Sequence, residues 1–276
     1  MIVKAAIGVM LAFMSGWTFA TFSGEVVEIL KEERPLPPTP PLKESEAEHF
    51  PFENKTRATC STREDLMSIR NAISDPSHRW TKFYVHPDRS FNKYELQVIN
   101  DAMYNLMRVL PCVSFGIWPP HSHPSGDYVQ IIKGTNNGCD SYIGKQGGRQ
   151  EMNLESPGCM HIGTVMHEFI HALGFFHEQA RPDRDDHVDI FYENVIPGQR
   201  HNFHKFEMSE VSTLGIPYNV KSIMHYESDA WSTNGKSTIL TKNGDVIGKN
   251  LHMQPTDIQK LRAMYKCNNP RSNIAA

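Results

Sequence analysis

Apolar residues recur at helical spacing along the stretch after Asn92: Leu96, Ile99, Met103, Leu106 and Leu110 fall on one face. Asn92 can cap this helix, and Glu95 three positions later closes a capping box. "KFYV" at 82–85, "CVSFGIW" and "DYVQIIK" read as strands, and the Gly-rich "GKQGGRQ" reads as a turn into a short strand, "EMNL". "GTVMHEFIHALGFFHE" is helical as far as Gly174. From about 185 to 252 the pattern dissolves into Gly, Pro, Asn and Ser, which predicts loops. A last helix runs from Pro255, a good first-turn residue, to Tyr265. No internal repeat is present.

The pattern is different before Asn71. Ala5 to Phe19 is largely apolar, Lys4 is the one charge ahead of it, and Thr18-Phe19-Ala20 offers small residues at a cleavage site. Residues 1–20 therefore read as a secretory signal peptide rather than a membrane anchor, since the apolar run is short and broken by Ser15-Gly16. Residues 21–70 include "KEERPLPPTPPLKESEAEHFPFENKT", proline-rich and charged with little periodicity, which cannot build a core of its own. Asn54-Lys55-Thr56 is an acceptor triplet for glycosylation. The remainder, 71–276, is the globular part. The formal net charge of −3 favours neither nucleic acid nor a membrane surface, and no later segment is apolar enough to span a bilayer. The expectation is a secreted, extracellular protein with no membrane contact once the signal is removed. In that setting Cys60, Cys112, Cys139, Cys159 and Cys267 should mostly pair, with one left over. The four in the globular part admit three connectivities.

The chemistry is concentrated in "HEFIHALGFFHEQARPDRD", 167–185. With 14 histidines in the chain, spacing must decide which matter. His167 and His171, four apart on a helix, present both imidazoles on one face, and Glu168 stands beside the first. Gly174 allows positive φ and a change of direction, so His177 can return to the same point. Three neutral imidazoles with one open position make a catalytic zinc site rather than a closed structural one. The full pattern H-E-x-x-H-x-x-G-x-x-H is that of the metzincins.

The extension through Glu178, Arg181, Asp183, Arg184 and Asp185, together with "SIMHY" at 222–226, resembles the astacin family of zinc endopeptidases. "NAI" at 71–73 is similar to a mature amino terminus of that family, "CDSYIGKQGGRQEMNL" to its substrate-binding edge strand and preceding loop, and "AMYKC" to its end. Glu227 and Trp231 depart from the usual glycine and phenylalanine. The resemblance implies an α/β (α+β) fold, with a twisted sheet and two long helices in the N-terminal half, little regular structure in the C-terminal half, and a cleft between them. It implies one Zn2+ per chain held by His167, His171, His177 and Tyr226, with Glu168 and Tyr226 catalytic and Met224 as an apolar floor. Peptide would add as a strand near 151–154. Cys112 would pair with Cys267 and Cys139 with Cys159, leaving Cys60.

By the same resemblance, a cut after Arg70 by a trypsin-like protease frees the ammonium of Asn71 to meet Glu178, and Lys242 in "STILTKNGD" enters a specificity pocket. The propeptide ligand that blocks the zinc is open: Cys60 is one candidate, with Asp65 and Glu25 (in "FSGE") as rivals. A zinc-binding pseudoenzyme acting in adhesion and a purely structural zinc domain are the other function classes. The intact Glu168 opposes the first and the open ligand position the second. His121-Ser122-His123 reads as exposed loop, and His161, His187, His201, His204, His225 and His252 as solvated or hydrogen-bonding. Met152, Met160 and Met166 read as core or rim.

Overall fold

The computed structural model describes residues 75–134, 138–208 and 212–267, with the backbone of Val27–Glu28. The expected signal peptide and cleavage site, Asn54, Cys60, Asp65, Glu25, Arg70 and Asn71 lie outside the described residues.

The described chain forms β1 (Val27–Glu28), β2 (Lys82–Pro87), α1 (Lys93–Val109), β3 (Ser114–Ile117), β4 (Tyr128–Ile132), β5 (Cys139–Ser141), β6 (Arg149–Leu154), α2 (Ile162–Ala172), β7 (Val188–Ile190), β8 (Ile239–Thr241) and α3 (Pro255–Tyr265). Six strands make one sheet in the order β1-β3-β2-β4-β6-β5. The inner four are parallel, and both edges, β1 and β5, run antiparallel. β7 and β8 make a separate two-stranded ribbon, with Val188 opposite Thr241.

The α/β (α+β) fold that the resemblance implies is the fold observed. Asn92 Oδ1 accepts from the Glu95 amide and the Glu95 carboxylate accepts from the Asn92 amide, closing the capping box of α1. The apolar stripe of α1, including Ile99, Met103 and Leu106, is buried against Phe83, Val85, Phe115 and Val129 of the sheet and against Val165 and Phe169 of α2. Phe83 sits at the centre, edge-on to Trp80, Phe115 and Phe169 with ring centroids 5.3, 5.8 and 5.6 Å away. A smaller cluster, with Val188, Phe203, Tyr218, Tyr226 and Ile239, fills the C-terminal half. Met152, Met160 and Met166 are core residues.

One expectation from the resemblance is corrected. The strand covering 151–154 is not the sheet edge: β6 pairs with β4 on one side and with β5 on the other, Cys139 opposite Leu154 and Ser141 opposite Met152. The edge is β5. Its three residues carry no alternating pattern, so periodicity does not reveal them as a strand. Disulfides join Cys112 to Cys267 and Cys139 to Cys159. The second bond ties this edge to the segment just before α2.

The entry to α2 makes a test. Gly163 lies in its first turn, where alanine would ordinarily be the better helix former. A Cβ there would stand 2.2 Å from the carbonyl oxygen of Leu251, a backbone atom with little freedom to retreat. Gly163→Ala should therefore destabilise the fold by about 2 kcal/mol, lowering the thermal midpoint by several degrees. A rise in the midpoint would show that helix propensity outweighs the contact.

Candidate metal centre

α2 begins with His161 as its N-cap, whose Nδ1 accepts from the Gly163 amide at 3.1 Å. It ends in a Schellman turn: the Phe175 amide donates to Ile170 O and the Gly174 amide to His171 O. Gly174 has φ +106°, a conformation that glycine adopts without a Cβ penalty. The remaining terminal carbonyls are also matched. Gly144 N–H donates to His171 O, Trp80 Nε1 to Ala172 O, and the Tyr265 hydroxyl to Leu173 O. The last turn of the helix is thus fixed from three directions, and the chain leaves it at a set angle.

That exit returns His177 to the helix face. His177 Nε2 lies 3.3 Å from His167 Nε2 and 3.2 Å from His171 Nε2. Among the described residues these three form the one group of histidine, cysteine and carboxylate side chains close enough to share an ion. Nitrogens each about 2.0–2.1 Å from a tetrahedral zinc stand about 3.3–3.4 Å apart, so the group has the spacing that zinc requires. The protonation pattern fits as well. His167 Nδ1 donates to Ile223 O at 2.7 Å and His171 Nδ1 to Phe175 O at 2.6 Å, which leaves the Nε2 lone pairs directed inward. Burial drives the His167 pKa down to about 4, and burial followed by the neighbouring imidazoles lowers His171 and His177 well below the usual range. All three are neutral near pH 7, as ligands must be.

Glu168, next to His167 on the same turn, is fully buried. Met224 is buried, and the Glu178 amide donates to its carbonyl at 2.8 Å. Tyr226 packs on His177 with ring centroids 4.4 Å apart, and its amide donates to Gln179 Oε1. The turn carrying the third histidine and the turn at 222–226, the methionine turn, are therefore cross-linked by one backbone bond and one side-chain bond. Asn71 lies outside the described residues; Glu178 meets Lys260 and Arg181. Lys242, at the end of β8, pairs with Asp189 at 2.5 Å, which offsets its charge. His187 stacks on Tyr218, and Nδ1 of His225 donates to Tyr226 O while its Nε2 accepts from the Tyr218 hydroxyl.

Sequence reasoning missed several supports. Arg181 and Arg184 are buried braces: Arg181 binds Asp183 through two nitrogens, at 2.8 and 2.7 Å, and Arg184 donates to the carbonyls of Gln179 and Phe203. Asp257 accepts from the Ser222 hydroxyl at 2.5 Å and from the Ile223 amide at 3.1 Å. The one local signal for Asp257 is its place in the first turn of α3, where it reads as a capping residue.

Comparison with known proteins agrees with this geometry. The profile of the Astacin peptidase family matches residues 72–266. "Zinc metalloproteinase nas-4" of Caenorhabditis elegans is 37% identical over 202 residues, spanning 72% of this chain and 62% of that protein. "Meprin A subunit beta" of Homo sapiens is 36% identical over 216 residues, 76% of this chain and 30% of that protein. The chain thus spans less than two thirds of the length of these relatives. High choriolytic enzyme 1, a hatching enzyme zinc-protease from Oryzias latipes, superposes with a TM-score of 0.62 at 33% identity, covering 72% of this chain and 100% of that one. The chain belongs to the astacin family.

The buried histidines set a pH dependence. A histidine with a depressed folded pKa contributes stability that is fully present above its unfolded value, 6.5, and is lost as pH falls toward its folded value, about 4 for His167 and His225. Metal-free protein should therefore unfold several degrees lower at about pH 5 than at about pH 7. Thermal unfolding with a chelator present checks this, and equal midpoints would mean the imidazoles accept protons within the fold.

Proposed function

We propose that this member of the astacin family is a secreted, zinc-dependent endopeptidase that is made as a zymogen and hydrolyses extended polypeptides. The observation that carries the reading is the convergence of three neutral imidazole nitrogens, with His177 Nε2 at 3.2–3.3 Å from the other two, beside a buried glutamate on the helix that carries those two. The relatives named as a zinc metalloproteinase and a hatching enzyme zinc-protease support it.

One zinc per chain, when bound, supplies Lewis acidity toward the scissile carbonyl and toward an attacking water. His167, His171 and His177 would hold it, with Tyr226 as a further ligand. Glu168 accepts a proton from water as its oxygen bonds to the carbonyl carbon, then delivers that proton to the leaving nitrogen as the C–N bond breaks. Water and a peptide bond thereby become a carboxyl and an amine, with Glu168 returned to its starting state. The Tyr226 phenol donates toward the carbonyl oxygen as negative charge builds there. The backbone of β5, as the sheet edge, takes the peptide as an added strand, which favours extended substrates over folded ones.

Residues 1–20 act as the signal peptide, 21–70 as the propeptide, and the domain from 71 is released by a trypsin-like cut after Arg70. Among the described residues no helix is long and apolar enough to cross a membrane. The pseudoenzyme reading gains no specific observation, since Glu168 is in place, and the structural-zinc reading gains none, since no fourth histidine, cysteine or carboxylate joins the group among the described residues.

Glu168→Ala should abolish casein hydrolysis, by about a thousandfold or more, while the protein keeps its zinc, because a base is lost and no ligand. Tyr226→Phe should lower turnover and leave the thermal midpoint unchanged. Metal content and hydrolysis rates on the purified proteins check both, and casein cleavage by Glu168→Ala near the wild-type rate would refute the mechanism.

Latency has its own test. A propeptide thiolate at Cys60 is a competent zinc ligand, so uncleaved Cys60→Ser should hydrolyse peptide before any activator is added. Asp65→Asn and Glu25→Gln should stay latent. Full latency in Cys60→Ser, with early activity in either of the others, would move the block to that carboxylate.

A further inference from the structure

Glu178, the residue after the third histidine, is 2% exposed. A buried carboxylate persists only where donors and cations compensate its lost hydration. Its Oε1 accepts from Lys260 Nζ at 2.6 Å, the Asn219 amide at 3.1 Å and Arg181 Nη1 at 3.2 Å, and its Oε2 accepts from Lys260 Nζ at 2.5 Å. The charge of Arg181 is largely spent on Asp183, to which it is bound through two nitrogens. Lys260 is therefore the cation that balances Glu178, and it is itself only 7% exposed.

The bond spans 82 positions in sequence and joins α3 to the turn that presents His177. Lys260 lies three residues after Asp257, so both project from one face of α3. Asp257 accepts from the Ile223 amide, and the Ile223 carbonyl accepts from His167 Nδ1. One helix face thus braces two of the three imidazoles, His167 through Asp257 and Ile223, and His177 through Lys260 and Glu178. Between them lies a small cavity, lined in part by Glu178, Ser222, Asp257 and Lys260, with room for about one water molecule.

The resemblance to the family assigns the neutralisation of Glu178 to the ammonium of a freed amino terminus. In the uncut chain that ammonium does not exist, because Asn71 is still joined to Arg70. Glu178 is nonetheless saturated on one oxygen and ion-paired on the other. We infer that Lys260 is the positioning residue for the third-ligand turn: its ammonium sets Glu178, and hence His177, before any cut. Activation then clears the cleft and does not build the site. The functional weight of this inference rests on the peptidase reading above; its structural content does not.

The test uses the full chain, uncut and after limited trypsin treatment. In uncut Lys260→Met, zinc should be lost to a competing chelator about tenfold faster than in the parent, and Lys260→Arg should restore most of the retention. After cutting, Lys260→Met should lower kcat about tenfold with KM changed less than about twofold. One glycine inserted between Arg70 and Asn71 displaces the freed ammonium, and should leave kcat within about twofold of the parent. Parental zinc retention and kcat in Lys260→Met would overturn the inference. So would failure of Lys260→Arg to rescue, which assigns the loss to packing, or a tenfold fall in kcat from the inserted glycine. If Lys260→Met does not fold, the double variant Glu178→Gln/Lys260→Met removes the stranded charge and should recover cooperative unfolding; no recovery overturns the pairing. Zinc retention is read without any substrate. A parent that cleaves no peptide, beside a Lys260→Met that still sheds zinc faster, would sink the peptidase reading and leave this one standing.

Discussion

Three uncharged imidazole nitrogens aimed at one point repel one another unless a cation stands between them, and a protonated imidazole would ruin the site. Most of the architecture around α2 serves to keep His167, His171 and His177 neutral and stationary against that tendency. Burial supplies the first condition, since each lies in surroundings that disfavour imidazolium. Backbone carbonyls supply the second for the helical pair: Ile223 O and Phe175 O each fix a ring by its Nδ1 proton. Neither carbonyl is placed by α2. One comes from the Schellman turn after it and the other from the methionine turn, so the two ligands on the helix depend on chain that is not helical.

That dependence explains the C-terminal half. It has little regular structure, and its backbone groups still need partners when buried. Side chains provide them. Arg184 reaches the carbonyls of Gln179 and Phe203, Arg181 reaches Ile216 O, and Gln179 accepts from the Tyr226 amide. Charged side chains are costly to bury, and here each meets a counter-charge or several acceptors, Arg181 against Asp183 and Glu178 against Lys260. A sheet would have satisfied the same backbone groups with fewer charges. It would also have held the turn of His177 and the turn at 222–226 about 4.8 Å apart in a fixed ladder, leaving no freedom to return His177 to the helical pair while Ile223 O fixes the ring of His167.

The division between what sequence reveals and what it hides follows range of interaction. α1, its capping box, the stop of α2 at Gly174 and the start of α3 at Pro255 are all legible, because each is decided within a few residues. The histidine group is legible for the same reason: helical spacing and one glycine define it. β5 is not, because Cys-Asp-Ser has no alternation and becomes a strand only by pairing with β6. β7 and β8 are equally silent, three residues each and about fifty positions apart. Asp257 and Lys260 look like ordinary members of a surface helix. Their roles come from partners 34 and 82 positions away, and no local pattern encodes such a distance.

On the proposed reading, in which a peptide adds to β5 as a strand, β5 and the histidine group must also be held in a fixed relation, since such a strand is productive only if its carbonyl reaches the right point. Two connections accomplish this. The Cys139–Cys159 disulfide joins the first residue of β5 to the segment just ahead of the N-cap of α2. Past the other end of β5, the Gly144 amide donates to the carbonyl of His171, itself one of the histidine group. The strand is therefore tethered before the start of the helix and again near its end, and it cannot slide along α2 by a residue without breaking a covalent bond or stranding a buried carbonyl. A slip of one residue would turn every substrate side chain to the opposite face and shift the scissile bond by about 3.3 Å, more than the tolerance of a reaction between atoms in contact. The glycine-rich turn between β5 and β6 follows from the same constraint, because the backbone at Gly144 must approach the helix end closely, with φ +73°.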